Sequence, residues 1–184
     1  LKRYKDQVIF EKHEVVKDDS SPYTVFTPYS RKWLSKLEKE GIPDSFDSEK
    51  NLKKLAEIKI DLPSIESVGF SGSILKAHPF EPDNISEYDK NRDYPYIEGT
   101  SFSGPYLRFG TISIRKLVKT AYLVNKTYLN ELIWREFFMQ ILFFYPYVVD
   151  KSFRSKYDGL KWINDPELFQ KWCEGKTGYP IVDA

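Results

Sequence analysis

Cysteine occurs once in this 184-residue chain, methionine once and histidine twice. A single cysteine excludes an internal disulfide and any cysteine-cluster metal site. His13 and His78 stand in polar stretches without ligand spacing around them, and no P-loop, HExxH or GxSxG pattern occurs. An excess of one charge is also lacking. Lys+Arg number 28 against 27 Asp+Glu, a formal +1, which excludes nucleic-acid binding by bulk basicity but not by a local patch. There is no leader-like start, and the most apolar stretch is short and carries Glu131, Arg135 and Glu136, so no membrane association is expected. With the lone cysteine, this points to a cytoplasmic location. The only methionine is Met139 and the chain stops in an apolar run, so it reads as a piece of a longer protein.

What remains is a chain able to fold. Hydrophobic residues make up 41% and aromatics 16%, enough for a core and too many for intrinsic disorder. Val8, Phe10, Val15 and Val16 are what a strand end leaves, followed by a polar turn at 17–22. Tyr23 to Thr27 is β-branched and aromatic and reads as extended into Pro28. From Ser30 the period is helical, with Trp33, Leu34 and Leu37 on one face and Gly41 as the stop. Residues 41–89 have no sustained period beyond a weak helix near Ser48–Ile58, and read as a linker wrapping other surfaces. Ser113 is an N-cap for a helix through Leu117, Val118 and Ala121. Leu129 to Tyr145 is the strongest helix and is apolar nearly all round, which implies burial in a large body. Asp165, Pro166 and Gly175 bracket a last helix with Leu168, Phe169 and Trp172 inward.

Two patterns could carry chemistry. Gly99-Thr100-Ser101-Phe102-Ser103-Gly104-Pro105 opens a helix with small residues whose hydroxyls and N–H groups suit a phosphate, or is simply a capped loop. Glu131, Trp134 and Arg135 lie at i, i+3 and i+4, giving one helix face an acid, a flat ring and a cation. That face is either a surface Glu–Arg pair beside a half-buried ring or a wall looking into a polar cavity. Trp162 and Trp172 read as core, Cys173 as packing, and both histidines as partnerless loop residues.

Three stretches together resemble the photolyase/cryptochrome family, most closely its bacterial DNA photolyases. They are Glu87-Tyr88-Asp89-Lys90-Asn91-Arg92-Asp93 running into Gly99-Thr100-Ser101 and Pro105-Tyr106-Leu107-Arg108-Phe109-Gly110; Asn130-Glu131-Leu132-Ile133-Trp134-Arg135-Glu136-Phe137; and Trp172-Cys173-Glu174-Gly175-Lys176-Thr177-Gly178-Tyr179-Pro180-Ile181-Val182-Asp183-Ala184. The resemblance runs from about Tyr23 to Ala184. It implies a mainly α chain: residues 1–20 the tail of an N-terminal α/β antenna domain, 21–85 an interdomain linker with one or two helices, and 86–184 the first half of an all-helical FAD-binding domain. The family usually reads T-S-R-L-S-P-Y-L where this chain has Phe102, Ser103 and Gly104 at the R-L-S positions, which removes a cation and a hydroxyl.

By the same resemblance Tyr88, Thr100 and Ser101 are FAD phosphate or ribityl contacts, Ser103 a further candidate, and Arg135 a flavin-side contact. Glu131 and Trp134 line the pocket for a flipped pyrimidine dimer, Arg92 meets a DNA phosphate, and Trp162 is the outermost tryptophan of the electron relay. The implied activity is light-driven repair of pyrimidine dimers by electron transfer from reduced FAD, with damaged DNA as partner and an antenna chromophore the chain does not identify. The alternatives are a cryptochrome-type blue-light sensor and a flavin-free interaction fragment. The piece itself is expected to be apo and inactive alone, and to self-associate through exposed apolar surface.

Overall fold

The computed structural model describes residues 5–42, 48–56 and 60–183. The described residues are helical, with no strand among them. They fall into two compact units, Leu1–Phe144 and Tyr145–Ala184.

The first unit is organised around α5, Lys126–Phe144, against which pack α1 (Phe26–Glu40), α2 (Tyr88–Asn91) and α4 (Ile114–Val124), with the short α3 (Gly104–Arg108) completing the set. Its core joins Tyr29, Trp33 and Leu37 of α1, Leu117, Val118 and Ala121 of α4, and Leu129, Leu132, Ile133 and Phe137 of α5. Each fully buried side chain of this size contributes about 1.5–3 kcal/mol by leaving water. Ser113 caps α4 as its sequence implies, with its Oγ accepting from the Lys116 N–H, and Gly41 ends α1 at a φ of 75°.

Residues 8–16 are not a strand end: they form turns, and Ile9, Phe10 and Val15 are buried. Their backbone pairs with side chains of α5 instead of with a neighbouring strand. Glu136 accepts from the N–H groups of Ile9 (2.7 Å) and Phe10 (3.1 Å), and Gln140 donates to the carbonyls of Lys12 (2.9 Å) and Val15 (3.0 Å). Glu136 also accepts from the indole N–H of Trp33 at 2.8 Å, so one buried carboxyl links α1, α5 and the N-terminal segment. Burial drives its pKa up, opposed by these three donors.

The extended reading of Tyr23–Thr27 also gives way. Helix α1 begins at Phe26, after an extended Val25, and takes Pro28 into its first turn. Proline is tolerated there because first-turn N–H groups have no intrahelical partner. Helix α5 is less enclosed than its composition implies: Phe138, Leu142 and Phe143 are exposed. Ser48–Lys54 is a 3₁₀ turn, and described residues 60–79 are exposed rather than wrapped onto the core.

In the second unit, α6 (Pro166–Cys173) follows 3₁₀ turns at Pro146–Val149 and Ser155–Tyr157, and α7 is Pro180–Asp183. Asp165 caps α6 through the Glu167 and Leu168 N–H groups. No described residue of this unit is buried. Leu168, Phe169, Trp172 and Trp162, expected inward, are exposed, and so is Cys173. An α6 of eight residues has too little partner surface within its own unit to cover an apolar face.

Candidate functional site

The small-residue loop before α3 is held from three sides. Asn84 donates its amide to the carbonyls of Glu98 (2.9 Å) and Thr100 (3.0 Å), and the Glu81 N–H donates to Ser101 O (2.9 Å). Gly99 is required by close approach: a Cβ there would stand 2.4 Å from Asn91 Cβ. At Phe102 the backbone turns left-handed, with a φ of 50°, and the ring stacks on His78 at 3.8 Å between centroids. His78 also lies 3.6 Å from Glu98, and His13 packs edge-on against Phe143 and Phe144, so neither histidine is partnerless.

The opening turn of α5 faces this loop. Asn125 accepts from the N–H groups of Thr127 and Tyr128 through Oδ1 (3.0 and 3.1 Å), and donates through Nδ2 to Asp89 (2.6 Å) and Ser86 O (3.2 Å). This fixes α2 against α5. Tyr88 then meets the Tyr128 ring edge-on at 5.1 Å. Between loop, α2 and α5 lies a groove of about 300 Å³, whose lining includes Tyr88, Thr100, Ser101, Ser103, Glu131 and Arg135. All five residues assigned to the flavin from the sequence therefore reach one cavity, together with Glu131.

The charges are arranged differently from the i, i+4 reading. Glu131 pairs with the guanidinium of Arg92, not with Arg135. Arg92 lies over the Tyr88 ring at 5.2 Å, and its own basicity is raised, chiefly by the hydrogen bond to Glu131. Burial pushes the Tyr88 phenol up, with Glu131 adding to the effect. Arg135 donates to the carbonyl of Gln7 at 2.7 Å and makes no ion pair among the described residues. Burial lowers its pKa, partly offset by Glu136. A half-buried guanidinium met only by a carbonyl, beside several hydroxyls, suits an anionic group such as a dinucleotide's phosphates. The groove is at the small end for a cofactor site, so these residues form one wall of such a site rather than a closed cavity.

Trp134 lies one turn along from Glu131. One ring face stacks on Phe26 at 3.5 Å and 5°, with Phe138 offset at 5.4 Å and Phe137 edge-on at 5.6 Å. Trp162 belongs to the second unit, where it is 73% exposed and lines a shallow groove with Val148, Tyr157 and Leu160. No group of three or more potential metal ligands occurs among the described residues. Nor is any described helix long and apolar enough to cross a membrane.

Tyr128, Asn125, Phe26 and Glu136 were not singled out from the sequence. An Asn just before the apolar run of α5 is a readable cap signal. The convergence on Tyr128 and Glu136 joins residues up to 127 positions apart and has no local signature.

Residues 128–184 match the family described as the FAD binding domain of DNA photolyase. A deoxyribodipyrimidine photo-lyase of Halobacterium salinarum is 30% identical over 99% of this chain and 43% of that protein. Its counterpart from Escherichia coli K12 is 31% identical over 98% of this chain and 43% of its own length. The Vibrio cholerae protein of the same name is 34% identical over 88% of this chain and 39% of its own length. The chain thus spans about two fifths of the length of the curated relatives it matches.

Proposed function

We propose that this chain, which belongs to the DNA photolyase family, is part of an enzyme that repairs pyrimidine dimers in DNA by light-driven electron transfer from reduced FAD. One observation carries the reading. The hydroxyls of Thr100, Ser101 and Ser103, the phenol of Tyr88, the guanidinium of Arg135 and the carboxyl of Glu131 all line a single groove.

Reduced FAD, when bound and excited, supplies the electron that opens the dimer, and the protein's residues bind, orient and exclude water. The hydroxyls of Thr100 and Ser103 donate to phosphate oxygens, Ser101 lines the same wall, and Arg135 adds a charge-assisted bond. A dimer cannot be reached inside the duplex, so it is flipped out, and a damaged pair costs less to unstack. The half-buried Trp134 ring, stacked on Phe26 with Phe138 offset, offers a base its remaining exposed surface, a contact of about 1–3 kcal/mol for a base on an aromatic ring. Glu131 hydrogen-bonds the dimer's carbonyl edge and stabilises negative charge there best when protonated. Arg92 pairs with Glu131 in the free groove, and a DNA phosphate that draws Arg92 away leaves the Glu131 carboxyl free to meet the dimer. Trp162 serves as the outer end of an electron relay. Domain boundaries near residues 20 and 85, a cytoplasmic location and a cyclobutane-type lesion belong to the same proposal.

The test is light-dependent repair of a thymine-dimer oligonucleotide by the full-length protein with chemically reduced flavin. Repair is expected, with Glu131→Ala and Trp134→Ala each reducing yield per photon by about tenfold, the scale of one lost transition-state contact. A bound flavin with no repair of that lesion overturns the enzymatic reading in favour of a light sensor or another lesion. The absence of any flavin leaves a flavin-free interaction fragment. The chain alone is expected to associate through exposed side chains such as Trp162, Ile163 and Phe169, and a monomer in sedimentation velocity refutes that.

A further inference from the structure

Two serine hydroxyls of the groove end on one phenol. Ser101 Oγ lies 2.7 Å and Ser103 Oγ 2.9 Å from the Tyr128 oxygen. Each hydroxyl carries one proton, so the three oxygens hold three donors, and the two contacts between them use two. One proton remains. All three line the groove, but Ser101 and Tyr128 are buried and have no other hydroxyl partner among the described residues, whereas Ser103 is half-buried and the most open of the three to a ligand. A donor left unmet at a buried end is costly, so the low-energy order runs outward. Ser101 donates to Tyr128, Tyr128 donates to Ser103, and Ser103 keeps the surplus proton.

We propose that Tyr128 is a positioning residue that makes Ser103 a donor to an anionic oxygen in the groove. The ligand class is a diphosphate or similar oxyanion, and the inference rests on the cofactor reading above. The phenol is well placed to fix the loop. Its ring is set edge-on to Tyr88, and its backbone N–H is held by Asn125. The hydrogen bonds from Asn84 and Glu81 hold residues 98–101 only, so Tyr128 is the side chain that secures Ser103.

Tyr128→Phe keeps the ring and deletes the relay. The probe is inorganic pyrophosphate, titrated into this chain and followed through the Ser103 amide by NMR, beside amide exchange across residues 101–104. The unaltered chain is expected to respond. Tyr128→Phe weakens pyrophosphate about tenfold and speeds exchange in the loop by a similar factor, while α4 and α5 keep their protection. Ser103→Ala weakens pyrophosphate equally but leaves exchange of residue 101 unchanged, and it carries the test should Tyr128→Phe not fold. Equal affinity in the variants, or no response in the unaltered chain, overturns the proposal. A parallel FAD titration separates the two readings. Tyr128-dependent pyrophosphate binding without FAD binding keeps the oxyanion site and removes the cofactor reading.

Discussion

The two units have similar ingredients and opposite outcomes. Both are rich in aromatics, yet the first buries Tyr29, Trp33, Tyr128 and Phe137 while the second leaves Trp162, Phe169, Trp172 and Tyr179 exposed. The difference lies in reach. In the first unit α5 is 19 residues long and meets three other helices, and its polar side chains bind the backbone of a segment more than 120 residues away. In the second unit the side-chain hydrogen bonds span six residues at most, as in Tyr147 to Phe153 O and Thr177 to Asp183. Apolar content is therefore not what decides burial here. Distant segments must be brought to the same face, and buried polar side chains satisfy the backbone that arrives without a strand partner.

That comparison breaks most sharply at Glu136. Replacing it with alanine leaves the Ile9, Phe10 and Trp33 donors buried without an acceptor, and is expected to cost the first unit at least about 3 kcal/mol, since each of the three unmet donors costs roughly 1–3. The second unit, held by local bonds, is expected to keep its own signal. Urea unfolding followed by Trp33 fluorescence, with amide exchange in α6 as control, measures both. The pH dependence has a definite sign. Burial raises the folded-state pKa above the ordinary 4.5, so the folded protein binds the proton more tightly than the unfolded chain. Stability from this group is full below that ordinary value and is lost as pH rises through the raised one. Glu136→Gln removes this slope. A slope unchanged in the Gln variant refutes the assignment.

How much of this was legible depends on the range of the interaction. The caps at Ser113 and Asp165, the stop at Gly41 and the bulk of α5 are local, and the sequence displays them. Residues 8–16 look like a strand because Val8, Ile9 and Phe10 form a short apolar run that resumes at Val15 and Val16, but what they pair with is set by Glu136 and Gln140 on a distant helix. The sequence pattern starts this helix at Ser30 because Pro28 looks like a barrier, but α1 begins at Phe26, and a first-turn proline is no barrier. The groove residues came from the family motif, and nothing in their spacing foretells that Glu131 turns to Arg92 instead of Arg135. The inward reading of Leu168 and Trp172 rested on helical period, which reports an apolar face but not whether anything covers it.

A smaller effect is expected at Asn125, which ends α4 and caps α5. Asn125→Ala removes two cap bonds and the link to Asp89, for a loss of about 2 kcal/mol. Because Tyr128 is one of the capped N–H groups, loop exchange at 101–104 is expected to rise in the same variant. Asp165→Ala is the matching cap deletion in the second unit. It is expected to cost about 1 kcal/mol and to be felt only as fraying of α6, visible in amide exchange at Glu167 and Leu168.

The smallest effect sharpens the comparison furthest. Trp33 and Trp172 are the same residue type, one 1% exposed and the other 57%. Trp172→Ser deletes a large ring that, among the described residues, stacks only on Phe169, at 5.8 Å between centroids. A surface substitution of this kind changes stability by less than about 0.5 kcal/mol. Trp33→Ser removes a ring packed against Phe10 and strips Glu136 of a donor, for a loss of about 3–5 kcal/mol. The pair is measured by parallel urea titrations of the same chain. Comparable losses at the two sites mean that the second unit's aromatic face is covered in solution, by another copy of the chain or by a partner, and concentration dependence of the Trp172→Ser effect distinguishes the copy from the partner.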